Sequence, residues 1–104
     1  MSINKRIEKI TAMEEILDKH NLKISKLKEA LEDFVENQKQ FDKLVNYYLS
    51  QQYELDYESF ENGEFPEDLK CGVLSQDAVF NLLTDNFNIA IEMLEAATEV
   101  IKNH

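Results

Sequence analysis

INKRIEKITAMEEILDKHNLKISKLKEALEDFVENQKQFDKLVNYYLSQQ, residues 3–52, holds neither Gly nor Pro, and its apolar residues recur at alternating spacings of three and four. The register runs Ile3, Ile10, Met13, Leu17, Ile24, Leu27, Leu31, Phe34, Phe41, Val45 and Tyr48, with Arg6, His20 and Gln38 in the polar slots. Such spacing keeps one face of an α-helix apolar, as in the seam of a heptad repeat. Read as one helix it would run roughly 75 Å at 1.5 Å per residue, too long for a compact monomer of this size. The seam therefore demands a covering layer.

Two readings of this stretch stand side by side. Lys19 and His20 suit a last helical turn, Asn21 tolerates a left-handed C′ position, and Leu22 is placed to touch Leu17, which together would break the helix near His20–Asn21 and give a hairpin. Against the break, the seam passes through this point without a change of phase, which favours one continuous helix.

Outward from this stretch, residues 53–74 (YELDYESFENGEFPEDLKCGVL) contain both glycines and the one proline of the chain. They read as a connecting segment, longer than the ~12–15 residues usual for a structureless loop, and therefore either partly folded or functional. Tyr53, Leu55, Tyr57, Phe60, Phe65 and Leu69 argue for packing, since a disordered linker has few aromatics. Ser75 then reads as an N-cap whose hydroxyl accepts from an early backbone N–H, with Asp77 in the first turn where the helix dipole favours an anion. The helix that follows, about 75–102, carries two adjacent apolar stripes, one through Phe80, Phe87, Leu94 and Ile101, the other through Val79, Leu82, Ile89, Met93 and Val100. A face that wide needs two neighbours, from the same chain or from a second subunit.

The expected fold is thus all-α and a single domain of 104 residues. A long N-terminal helix, continuous or broken at His20–Asn21, packs with a C-terminal helix in an antiparallel bundle, with an aromatic and acidic connection between them. Two Gly and one Pro are too few for a sheet-rich fold, and the lone cysteine excludes an internal disulfide or a four-ligand zinc site. No run approaches the ~18 apolar residues of a membrane span, and MSINKRIEKI lacks the apolar core of a secretory signal, so a cytoplasmic protein is expected.

Charge narrows the partners. The formal net charge is −10, and all of it lies in residues 50–104, which hold twelve acids and only Lys70 and Lys102 as bases. Residues 1–49 balance nine acids against nine bases. The acidic field repels phosphate backbones and anionic lipid, so neither nucleic acid nor membrane is an expected partner. Lys19, Lys23 and Lys26, interleaved with acids, read as a solvated helix face.

Chemistry-bearing residues are sparse. Asp56, Glu58 and Glu61 do not match a calcium-binding loop, because the third ligand is missing and Gly63 comes two residues late. His20 and His104 supply no Glu-x-x-His pair, so no metal or cofactor is expected. Asp56, Asp68, Cys71 and Asp77 would form a carboxylate and thiol pocket only if the connecting segment folds back over the last helix. Cys71 has no histidine nearby in sequence to act as base, and Asp68 and Asp77 have simpler roles in a turn and a helix start.

The stretches RIEKITAMEEILD (6–18), NYYLSQQYELDYE (46–58) and GEFPEDLKCGVLSQDAVFNLL (63–83) together resemble a family of roughly hundred-residue bacterial proteins catalogued as a domain of unknown function, number four-two-nine-eight of its series. The most specific part is Gly72, Val73, Leu74, Ser75, Gln76, Asp77 and Ala78, preceded by Gly63 and Pro66. Tyr53 stands where a Trp is usual, Gln76 where a Glu is usual and Phe80 where a Tyr is usual, which weakens any role for an indole, a second carboxylate or a phenol there. The resemblance implies a helical, cytoplasmic bacterial protein and carries no activity over.

The densest feature is aromatic. Tyr47, Tyr48, Tyr53, Tyr57, Phe60 and Phe65, with Asp56 among them, cluster near the end of the long helix and beside the acidic run. Such a cluster is a packed plug, or, where rings stay exposed, a contact patch for a basic and apolar protein partner. The expected function is therefore a non-enzymatic, homodimeric interaction module that presents residues 47–77, with a small enzyme or ligand-binding protein built on Asp56, Asp68, Cys71 and Asp77 as the alternative.

Overall fold

The computed structural model describes residues 2–104 and is all-α: α1 (Ile3–Tyr48), α2 (Gln51–Glu61) and α3 (Gln76–Asn103), with a single 3-10 turn, Gly72–Leu74, before α3. Among the described residues there is no strand. The long helix runs unbroken through His20 and Asn21, as the constant phase of its seam favours. Contacts divide the chain into two units, one ending at Lys39 and the other running from Gln40 to His104.

The first unit is the N-terminal part of α1 and has no second element. Its seam is bare: Ile3, Ile10, Leu17, Ile24 and Leu27 are each more than half exposed. An isolated helix in water is only marginally stable, and most helical stability in proteins comes from packing an apolar face.

The second unit contains the end of α1, α2, the 3-10 turn and α3. Expectation and structure differ at its start. The long helix ends at Tyr48, short of residue 52, and the first part of the connecting segment is the separate helix α2. Ser50 is the cause. Its backbone is extended (φ −91°, ψ 160°), its Oγ accepts from Tyr53 N at 3.2 Å and donates to the carbonyl of Tyr47 at 2.6 Å. A serine bonding the backbone this way ends one helix and caps the next.

Helix α2 stops at a Schellman motif. Gly63 N donates to Phe60 O and Glu64 N to Ser59 O, both at 3.0 Å, and Gly63 takes the left-handed conformation (φ 70°) that such an ending needs. A turn follows, with Leu69 N donating to Pro66 O at 3.1 Å, then the 3-10 turn that delivers the chain to α3.

Ser75 does occupy the N-cap of α3 and Asp77 its first turn, but the Ser75 hydroxyl makes no capping bond. Its backbone N–H instead closes the 3-10 turn on Gly72 O at 3.1 Å. The 3-10 turn touches both α2 and α3, and the only buried side chains among the described residues, Leu74 and Val79, lie at this junction. Half-buried Phe41, Leu44 and Val45 on α1 and Leu83 and Met93 on α3 extend the packed part of the unit. One stripe of α3 has no cover: Phe80 and Phe87 are more than half exposed, Leu94 is 70% exposed and Ile101 is 76% exposed.

Candidate functional site

The tyrosines that cluster in sequence also cluster in space, because the Ser50 turn sets the start of α2 against the end of α1. Tyr53 is the hub. Its ring meets Tyr47 edge-on at 5.6 Å between centroids, meets Tyr48 at 5.0 Å and stacks on Tyr57 at 6.4 Å. Tyr53 and Tyr57 lie four residues apart on one face of α2, and Tyr47 and Tyr48 close α1, so the cap that ends α1 also assembles the rings.

Asp56 belongs to the same cluster. Tyr47 Oη donates to its Oδ2 at 2.6 Å, and Gln52 Nε2 donates to Oδ1 at 2.8 Å, so both carboxylate oxygens are engaged. Burial, and after it the hydrogen bond to Asp56 and that residue's negative charge, push the Tyr47 phenol up to about 12. Burial also raises Tyr53, with Tyr48 and Tyr57 adding to it. The Tyr53 hydroxyl is buried with no hydrogen-bond partner. These phenols are therefore held neutral, and the cluster is built for packing and for donating hydrogen bonds, not for accepting protons at ordinary pH.

Beside the rings lies an open groove of about 470 Å³ lined by Tyr48, Leu49, Ser50, Tyr53, Glu54 and Gln76. Leu49 at its edge is strongly exposed. Leu49, Ser50, Gln52, Glu54 and Gln76 are the residues that the composition of the aromatic run did not single out. The signal for them was present, since Ser50 followed by Glu54 in the first helical turn is a helix-start pattern.

The other residues read from sequence fall elsewhere. Among the described residues Phe60 and Phe65 stack on no other ring; Phe60 is 39% exposed and Phe65 half-buried. Asp68 and Asp77 are exposed, and Cys71 is a half-buried free thiol at the start of the 3-10 turn. None of Asp56, Asp68, Cys71 and Asp77 lines the groove beside the rings. Among the described residues no three His, Cys, Asp or Glu side chains are grouped to hold a metal ion, and no helix is long and apolar enough to cross a membrane.

Comparison with known proteins adds a family. Residues 10–96 match the model of a family described as a domain of unknown function, DUF4298. No curated protein and no solved structure matches the chain.

Proposed function

From a chain that belongs to the DUF4298 family, we propose a function as a small acidic helical module that self-associates along its bare seams and offers residues 47–77 to a protein partner. The observation that carries the reading is the imbalance of burial. Among the described residues Leu74 and Val79 are the two buried apolar side chains, at 4% and 3% exposure, while the seams of α1 and α3 face solvent. Two buried side chains contribute ~1.5–3 kcal/mol each. Ordering the backbone costs about 1 kcal/mol or more per residue.

Covering the seams changes the balance. A half-exposed Ile or Leu regains about 1 kcal/mol when it is buried. Ile3, Ile10, Leu17, Ile24 and Leu27 on α1, with Phe80, Phe87, Leu94 and Ile101 on α3, then contribute on the order of the whole stability of a small domain. In this reading the chain acts as one domain whose core is completed by a second copy. The free thiol of Cys71 fits a reducing compartment such as the cytoplasm.

The patch at residues 47–77 has the character to receive a further protein. Leu49, Leu55, Phe60 and Leu69 are exposed beside Glu54, Glu58, Glu61, Glu64, Glu67 and Asp68, with no base among residues 44–69. Apolar side chains in an acidic rim complement a basic amphipathic segment. A cationic amphipathic peptide is the probe: binding that weakens with salt and is lost on replacing Tyr53, Tyr57 and Phe60 by alanine supports the surface. Retained binding in that variant removes it.

The self-association itself is tested by light scattering on the intact chain and on a Leu17→Asp, Leu27→Asp variant. A dimer that the two charges dissolve supports the module. A single-chain mass for the unaltered protein overturns it.

A further inference from the structure

Resting on that self-association, we propose that the occupant of the α1 seam is the α1 of a second copy, laid antiparallel in the one register where the numbers of facing seam residues sum to 44. In that register Ile10 meets Phe34, Met13 meets Leu31 and Leu17 meets Leu27 of the second copy, all positions of the heptad seam.

The direction follows from charge. Within α1, residues 5–28 hold seven bases and four acids, while residues 29–48 hold two bases and five acids. Antiparallel pairing sets the basic half of each helix against the acidic half of the other. Parallel pairing stacks Arg6 on Arg6 in the seam and sets Lys23 beside Lys28 across it.

The register follows from the positions that flank the seam. With the seam at a sum of 44, exposed Ile7 and exposed Val35 lie side by side, Glu14 faces Lys28, Asn21 faces its own copy at the two-fold axis, and Arg6 in the seam meets the polar Gln38. One heptad further, Ile7 faces Asp42, Glu14 faces Val35 and Arg6 faces Val45. One heptad back, Ile7 faces Lys28 and Arg6 faces Leu31. Only the middle register pairs Ile7 with an apolar residue, Glu14 with a countercharge and Arg6 with a polar residue, while His20 faces Ile24 in the seam. It leaves one like pair, Lys23 with Lys23, whose long stems carry the charges out into water at little cost.

Disulfide trapping tests the register in the full chain with Cys71→Ser. A bridge forms only when Cβ atoms approach to about 4 Å. Met13→Cys and Leu31→Cys chains, unfolded together, refolded and oxidised, are expected to give a covalent dimer with one chain of each kind, and neither is expected to bridge alone. A Met13→Cys homodimer, or a non-covalent dimer in which the mixture does not bridge, overturns the register. A single-chain mass for the reduced proteins overturns the self-association beneath it.

A second measurement leaves the seam untouched. Glu14→Lys is expected to weaken the dimer roughly fivefold, because two exposed ion pairs become repulsive. Adding Lys28→Glu restores it. Lys28→Glu alone is expected to weaken the dimer as well, because it sets a second acid against Glu14; in a parallel dimer the same change removes the Lys23–Lys28 repulsion, so a dimer strengthened by Lys28→Glu alone overturns the antiparallel register.

Discussion

Replacing Tyr47 by phenylalanine removes one hydrogen-bond donor and leaves the ring packing in place, which makes it a clean probe of the aromatic cluster. At neutral pH the loss is the 2.6 Å bond to Asp56 Oδ2, while Gln52 continues to serve Oδ1. A hydrogen bond to a charged group is worth ~1.5–3 kcal/mol, and water reaching the half-buried carboxylate brings the expected destabilisation down to about 1 kcal/mol. The pH dependence has a definite sign. Tyr47 lies at about 12 in the folded chain against 10.0 unfolded, so its neutral form is favoured by folding. That stability is fully present below pH 10 and is lost as pH rises towards 12, with a limiting slope of about 1.4 kcal/mol per pH unit, reduced by solvent screening. The unaltered protein therefore loses, on going to high pH, a contribution that the Tyr47→Phe variant never had, and the gap between them closes above pH 10. Urea unfolding of both proteins at neutral pH and near pH 11 measures it. Equal stabilities at neutral pH, or a gap unchanged at high pH, would refute the Tyr47–Asp56 bond as a working contact.

Other substitutions test the local architecture. Ser50→Ala removes the cap of α2 and its bond to Tyr47 O, and is expected to cost about 1 kcal/mol in thermal or urea unfolding, with the Tyr53 ring environment altered in near-ultraviolet dichroism. Gly63→Ala meets no atom within 4 Å, so its cost comes only from the left-handed backbone and is expected at ~1 kcal/mol, with the protein still folded. Asp56→Ala combined with Tyr47→Phe is expected to be less damaging than the sum of the two, by about 1 kcal/mol in a double-mutant cycle; strict additivity would show the pair uncoupled.

The parts of the fold written in periodicity were legible. A Gly- and Pro-free stretch with constant phase through His20 and Asn21 forms one helix, and the all-α class with a long helix towards each end follows from the same spacing. What escaped was local competition between side chain and backbone. Ser50 lies inside a stretch that reads as helix, and only its choice of Tyr53 N over a helical conformation splits α1 from α2. Tyr53 and Tyr57 read as part of the connecting segment because the glycines and proline follow them, although their spacing of four residues already fits a helix. At Ser75 the residue type and position were right, but the preceding 3-10 turn claims its backbone N–H, and its hydroxyl caps nothing. The aromatic cluster was visible as density along the chain. The Tyr47–Asp56 bond was not, because nine residues and a helix break separate its partners, and only the turn at Ser50 brings them within reach.

Absolute mass in solution tests the central claim most directly, because the seams of α1 and α3 either find cover in a second copy or stay bare. Light scattering coupled to size separation of the full chain at micromolar concentration is expected to give twice the 12.2 kDa of one chain. A particle of 12.2 kDa that remains helical and unfolds cooperatively would contradict the account.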